Sequence, residues 1–215
     1  MTGLAPRDVA VVRQVAGLAL GYPDDELLAR LPVLRAAVAT LPAAAGDSLA
    51  GLLDHLARTP PDVLTADYVA TFDHSRRHAL HLTYFTHGDT RKRGVALLRI
   101  KQLYRRAGFV LDDSGADAEL PDHLSVVLEF AATVDPRAGE RLLQEHRAGL
   151  ELLGLALADA GSPYAAATAA VSATLPPLRG SVREAVARLA AEGPPGEEVG
   201  LDPFVPPEVT GGARR

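Results

Sequence analysis

Apolar residues spaced for helices, and separated by glycine and proline, are the feature that most constrains how this chain can fold. Leucine, valine and alanine recur three and four residues apart, whereas alternating apolar and polar runs are scarce. Such spacing lines one face of an α-helix. We therefore predict an all-α protein: a single-domain bundle of about nine or ten helices over residues 1–192, followed by a flexible tail over residues 193–215.

Capping side chains and prolines predict the first helix boundaries. Asp24 is expected to cap a short helix that Pro32 interrupts, because proline lacks the amide that a helix interior needs. Ser75 is expected to cap a helix that continues to Gly88. Thr90 then caps a longer helix, which carries several arginines on its polar face.

Two more boundaries are predicted in the second half of the chain. Pro121 is expected in the first turn of a helix, with Asp122 beside the positive end of the helix dipole. The residues after Pro136 predict one long helix that ends at Gly161. The tail contains an apolar island at residues 197–204, which we expect to dock on the same domain.

Composition excludes several classes of protein. With 47% hydrophobic and 23% charged residues, the chain has enough apolar side chains to form a globular core. Cysteine is absent, which excludes disulfides and thiol nucleophiles and suits a reducing compartment. No run approaches the ~18–20 apolar residues of a membrane span, and the N-terminus lacks the pattern of a secretory signal. We predict a cytoplasmic protein without stable membrane insertion.

Unusual chemistry is concentrated in the middle third of the chain. Between Ser75 and Ala107 there are nine basic residues and one acid, whereas Asp112–Glu129 contains six acids and no lysine or arginine. Seven of the ten aromatic residues lie between Tyr68 and Phe130. Aromatic side chains beside an acidic segment suit an all-helical domain that binds an amphipathic, basic peptide helix.

Two other functions are open from the residues alone. His74, His78 and His81 would share one face of a helix, and three imidazoles there could hold a catalytic zinc ion. The basic run over residues 74–106 could contact nucleic-acid phosphates, although the N-terminal part of the chain lacks a basic helix-turn-helix. The sequence contains no phosphate-binding glycine loop and no HExxH or GxSxG motif.

Four segments of the middle third resemble one known family. They are YVATFD at 68–73, HGDTRKRG at 87–94, ELPDHL at 119–124 and LEF at 128–130. Their order and spacing resemble the delta subunit of respiratory nitrate reductase, the NarJ-type molybdenum cofactor assembly chaperones. The likeness is specific between residues 68 and 130 and rests elsewhere on length and helical character.

The resemblance implies a chaperone and not an enzyme. Such proteins bind the N-terminal segment of the nitrate reductase catalytic (alpha) subunit in the cytoplasm and keep it competent for molybdenum cofactor insertion before membrane docking. On this interpretation the chain has no cofactor of its own and no nucleic-acid partner. The resemblance does not specify an oligomeric state.

The family motifs supply the candidate partner-binding residues. Tyr68 and Phe72 lie four residues apart and would share a helical face, while Gly88 and Gly94 would permit a tight turn and a close helix contact. An alternative role for the charged residues is structural, with Arg91 or Arg93 pairing with an acid of the ELPDHL segment. The full candidate set is Tyr68, Phe72, Asp73, Arg91, Arg93, Tyr104, Glu119, Pro121, Asp122, His123 and Glu129.

Overall fold

The computed structural model describes residues 3–73, 75–111 and 119–192, and this part of the chain is all-α, as predicted. It contains eleven α-helices and one 3-10 turn (Arg76–His78), slightly more elements than the sequence indicated. The predicted tail, with its apolar island, lies outside these residues. The helices are α1 (Pro6–Ala19), α2 (Asp25–Val38), α3 (Ala43–Arg58), α4 (Pro61–Phe72), α5 (Leu82–His87), α6 (Arg91–Arg106), α7 (Leu124–Thr133), α8 (Pro136–Glu145), α9 (Arg147–Asp159), α10 (Ala165–Ala173) and α11 (Gly180–Glu192).

Helix α1 is the central element of the bundle. It packs most extensively against α7 and also contacts α2, α3 and α10. Val12, Ala16 and Ala19 are fully buried along its length. Arg13 is also almost fully buried, and its guanidinium contacts Thr174 Oγ1 at 3.3 Å and Glu140 Oε2 at 3.5 Å. A buried charge needs such partners, so Arg13 ties α1 to α8 and to the end of α10.

Two of the predicted boundaries are wrong in the first half of the chain. Pro32 does not interrupt α2: Asp24 caps the helix by accepting a hydrogen bond from Leu27 N at 2.8 Å, and the helix continues to Val38. The buried stripe on α2 runs at helical spacing past Pro32, so packing outweighs the lost amide. The expected helix from Ser75 to Gly88 is instead a 3-10 turn, an extended stretch and the short helix α5.

Two boundaries in the second half also differ from the prediction. Helix α7 begins at Leu124, so Pro121 and Asp122 lie in a turn before it and not in its first turn. The long helix expected after Pro136 divides at His146 into α8 and α9. His146 is buried there, with Nδ1 3.4 Å from Thr86 Oγ1, so a tertiary contact accompanies the break.

Glycines control two features of the helix arrangement. Gly88 has φ 56° and ends α5, as the predicted tight turn requires. Gly139 lies where a Cβ would be only 2.3 Å from Ala131 Cβ, so α8 approaches α7 closely. The predicted close contact at Gly94 is wrong, because no atom beyond the adjacent backbone of α6 lies within 4 Å of the position its Cβ would take.

Within the described ranges, no helix has the length and apolar character needed to cross a lipid bilayer.

The two glycines allow a matched test of helix packing. Gly139→Ala should destabilise the chain by about 1–3 kcal/mol, because the methyl group collides with the α7 backbone. Gly94→Ala, in open space within α6, should instead stabilise it by about 0.5–1 kcal/mol through helix propensity. Urea unfolding measures both changes, and an equal effect of the two substitutions would contradict the assigned contact.

Candidate functional site

The largest cluster of predicted site residues lines one cleft of about 460 Å³. This cleft lies between α4, the segment after it, α5 and the turn before α7. One wall is aromatic and the other is polar. The lining residues are Tyr22, Tyr68, Phe72, Asp73, Ser75, Arg76, Ala79, Leu80, His81, Tyr84, Asp89, Arg93, Glu119 and His123.

The aromatic wall is a set of rings in edge and tilted contact. Tyr68 lies at its centre, with its ring centroid 4.7 Å from Phe72, 5.5 Å from Tyr22 and 5.8 Å from Tyr164. The Tyr68 hydroxyl donates a hydrogen bond to Leu20 O at 3.0 Å, so its ring cannot turn freely. Tyr22 keeps 52% of its surface exposed. The wall therefore offers a rigid apolar surface with one accessible ring at its edge.

A short antiparallel bridge builds the polar wall. Leu82 N donates to Asp122 O at 3.1 Å, and Leu124 N donates to Leu80 O at 2.8 Å. These bonds occupy backbone groups that a continuous helix from Ser75 would have used. The bridge brings His81 and His123 together, with ring centroids 5.3 Å apart. Residues far apart in sequence thus share one wall.

The carboxylate of Asp122 lies directly behind this wall and is fully buried. Its Oδ2 accepts hydrogen bonds from Thr83 N at 3.2 Å and from Thr83 Oγ1, and Arg93 Nη2 lies 3.8 Å away. His81 Nδ1 lies 3.3 Å from the other carboxylate oxygen. Burial acts to raise the Asp122 pKa, but the contacts with His81, Thr83 and Arg93 outweigh it and hold the pKa below its ordinary value.

Arg93 joins α6 to this cluster. Its Nη1 contacts Asp89 Oδ1 at 3.2 Å and its Nε donates to Thr83 Oγ1 at 3.3 Å. The guanidinium carbon also lies 6.0 Å from the centre of the Tyr84 ring. Arg93 thus makes the predicted pairing with an acid of the ELPDHL segment, Asp122, and connects two segments of the fold.

His123 and Glu119 form the part of the polar wall nearest the loop before α7. His123 Nε2 lies 3.8 Å from Glu119 Oε2, and the histidine is almost fully buried while the glutamate is exposed. Burial, together with the neighbouring His81, lowers the pKa of His123 to about 4. Burial also raises the pKa of Glu119. His123 is therefore neutral near pH 7.

The predicted site residues fall into three groups. Tyr68, Phe72, Asp73, Arg93, Glu119 and His123 line the cleft. Pro121, Asp122 and Tyr104 are buried behind it, where the Tyr104 hydroxyl donates to Pro121 O at 2.8 Å. Arg91 and Glu129 are exposed on α6 and α7 and do not line the cleft.

Tyr104 belongs to a second aromatic cluster within the core. Its ring centroid lies 4.6 Å from Phe130 and 5.2 Å from Phe109. Burial raises the Tyr104 pKa, so the hydroxyl stays protonated and supports the turn that carries Pro121 and Asp122. Tyr104 therefore lies behind the turn and not at the cleft surface.

Sequence reasoning missed several cleft residues. Tyr22 follows α1 in a turn, far in sequence from the aromatic-rich middle third, and only the packing of α1 against its neighbours brings it to the cleft. Tyr84 and Arg76 were missed because neither belongs to the family motifs that supplied the candidate residues. The sequence does indicate that Tyr22 lies in a turn, because Gly21 and Pro23 flank it.

The proposed zinc-binding face does not form as predicted. His78 lies in the 3-10 turn with its ring nitrogens 2.9 Å from Thr71 O and 3.3 Å from Ala156 O, whereas His81 lies in the bridge beside Asp122. His74 is outside the described residues. Among the residues that are described, no three histidine or acidic side chains are grouped so that they could hold a metal ion.

The neutral, buried His123 should make stability depend on pH. Its pKa is about 4 in the folded chain and 6.5 ordinarily, so the unfolded chain binds this proton first. The stability present above pH 6.5 is then lost as the pH falls toward 4, by up to about 3 kcal/mol.

Chemical unfolding of the wild-type chain and of a His123→Gln variant, at about pH 7 and about pH 4.5, measures this dependence. The variant should lose less stability on acidification than the wild type. Equal losses in both proteins would contradict the assignment.

Comparison with known proteins finds relatives over most of the part of the chain that forms the cleft. The family model described as nitrate reductase delta subunit matches residues 39–170, which include most of the cleft residues. A crystal structure from Archaeoglobus fulgidus, assigned to the redox enzyme maturation proteins, superimposes with a TM-score of 0.53 at 24% identity. It covers 79% of this chain and 93% of that chain, so the two share a fold.

Several relatives align over most of the chain. The nitrate reductase-like protein NarX of Mycobacterium tuberculosis is 43% identical over 164 residues, which are 76% of this chain and 24% of NarX, so the chain spans about a quarter of that relative. A Bacillus subtilis protein named "Probable nitrate reductase molybdenum cofactor assembly chaperone NarJ" is 32% identical, over 68% of this chain and 78% of its own.

The nitrate reductase molybdenum cofactor assembly chaperone NarJ of Escherichia coli is 31% identical, over 68% of this chain and 61% of its own length. The family model covers more than half of the chain, and the Bacillus relative is matched over most of its length. The chain therefore belongs to the nitrate reductase delta subunit family.

Proposed function

We propose that this chain is a maturation chaperone that binds the apo catalytic subunit of a nitrate reductase and assists molybdenum cofactor insertion before the enzyme docks at the membrane. Two named relatives are nitrate reductase molybdenum cofactor assembly chaperones, which supports this role. The chain acts by binding, in the cytoplasm, and the cofactor belongs to the client. In this proposal residues 1–192 are the chaperone domain, and residues 193–215 are a tail rich in proline, glycine and glutamate.

The observation that carries the proposal is the combination of two different walls in one cleft. A peptide places apolar side chains against Tyr22, Tyr68 and Phe72, where rigid rings bury area at little entropic cost. Its basic residues face Asp73 and Glu119 at the opening. We assign the N-terminal segment of the catalytic subunit to this cleft, bound as an amphipathic helix.

The buried members of the candidate set act indirectly in this proposal. Asp122 and Tyr104 do not reach the cleft surface, and Pro121 lies between them. They hold the polar wall against α5 and α6 and are positioning residues. Arg93 both lines the cleft and contacts Asp122, so it belongs to both groups.

Calorimetric titration with a synthetic peptide of the catalytic subunit's N-terminus tests the proposal. Tyr22→Ala should weaken binding by about tenfold, because a half-exposed aromatic anchor is lost, while the melting temperature stays unchanged. A scrambled peptide is the control for sequence specificity. Failure of the folded wild-type chain to bind the peptide would overturn the proposal, and unchanged affinity of the variant would remove Tyr22 from the site.

Two carboxylate substitutions distinguish a side chain that contacts the peptide from one that only positions the cleft wall. Glu119→Gln should weaken peptide binding by about fivefold at low salt and much less at high salt, because an exposed charge is screened. Asp122→Asn should lower folding stability by about 3 kcal/mol, because Arg93 loses a buried partner.

Where the Asp122→Asn protein remains folded, it should lose affinity equally at both salt concentrations. The measurements are titrations at two ionic strengths and a thermal melt of each variant. A salt-dependent loss for Asp122→Asn, with an unchanged melt, would show that Asp122 contacts the peptide itself.

A further inference from the structure

Helix α11 differs from the other helices described because it contributes no buried side chain to the bundle. Val182, Ala185, Val186 and Leu189 are half-buried along one face, at the spacing of an amphipathic helix, and the rest of the helix is exposed. The helix therefore touches the domain through a single narrow stripe of small and aliphatic residues.

The stripe packs on α9, over a surface that would otherwise be exposed and apolar. Phe85, Leu152, Leu155 and Ala156 line a groove of about 430 Å³ there, and Leu189 and Ala190 of α11 also line it. Leu155 remains 54% exposed even with α11 in place. The groove is thus only partly filled by α11, and core-like packing density is not reached.

The connection to α10 leaves α11 able to separate from the bundle. Leu175 is the last fully buried residue after α10, and Pro176 and Pro177 follow it with exposed side chains. Separation of α11 would expose the apolar stripe and the groove and would withdraw no fully buried side chain of α11 from the core. Its free-energy cost is therefore small compared with global unfolding.

The groove adjoins the cleft described above. Arg76 of the 3-10 turn lines both, and α5 supplies Tyr84 to the cleft and Phe85 to the groove. A peptide helix seated in the cleft can extend past Arg76 onto α9 once α11 has moved away.

We infer that α11 is an intramolecular plug on a second client-binding surface, the α9 groove. The occupant that replaces it is an amphipathic helix of the client with aliphatic residues at the spacing of Val182, Val186 and Leu189. This inference rests on the proposed function and adds to it a competition between α11 and the client. The client binds only those molecules in which the groove is open. The apparent client affinity is therefore the intrinsic affinity multiplied by the fraction of molecules with an open groove.

Substitutions on the two sides of the contact between α9 and α11 should have opposite effects on client affinity. In the full chain, Leu189→Asp releases α11 and leaves the α9 side of the groove unchanged, so the N-terminal client peptide should bind at least about threefold more tightly. Leu155→Asp spoils the groove itself and should weaken binding by at least about threefold. A contact that merely stabilises the fold would change both affinities in the same direction.

Ala187→Asp is the matched control, since it adds the same charge to the exposed face of α11 and should leave affinity unchanged. Titration calorimetry gives the affinities, thermal melts check folding, and light scattering gives the mass. Equal affinities for wild type, Leu189→Asp and Leu155→Asp would overturn the plug and leave cleft binding intact. A dimer that Leu189→Asp dissociates would overturn it in favour of a second copy of the chain, and absence of binding by the wild-type chain would instead overturn the proposed function.

Discussion

The shape of the cleft depends on the buried carboxylate of Asp122. A charge removed from water is costly unless ionic and hydrogen-bonding partners surround it, and here Thr83 and Arg93 supply them from α5 and α6. Those contacts fix the turn before α7 against two other elements, and the backbone bridge between His81 and His123 follows from the same arrangement. The polar wall thus owes its form to a group that does not itself line the cleft.

The helical class and part of the site could be predicted from local signals. Regular apolar spacing indicates helices regardless of tertiary context, and Asp24 caps α2 as expected. Tyr68 and Phe72 share a face because they lie four residues apart on one helix. The motif segments likewise placed Glu119 and His123 at the cleft, because residues adjacent in sequence stay adjacent in any fold.

The features that local reasoning missed all depend on distant contacts. The stretch after Ser75 has helical spacing, but its backbone pairs with the ELPDHL segment instead, and that pairing gives His81 its position. Pro32 is tolerated because the packing of α2 against α3 outweighs one lost hydrogen bond. Tyr22 joins the site only through tertiary packing, which no local pattern encodes.

Two adjoining surfaces, the cleft and the α9 groove, suit a protein that acts by binding. In the function proposed above, a rigid aromatic wall gives affinity, acidic groups at the opening give charge preference, and α11 regulates access to the groove. The central claim is that the client segment lies in the cleft, and photo-crosslinking tests it most directly. A photoreactive amino acid in place of Tyr22 should crosslink to the client peptide, whereas one in place of the exposed Val33 on α2 should not. Crosslinking at Val33 alone, or equally at both positions, would contradict the account.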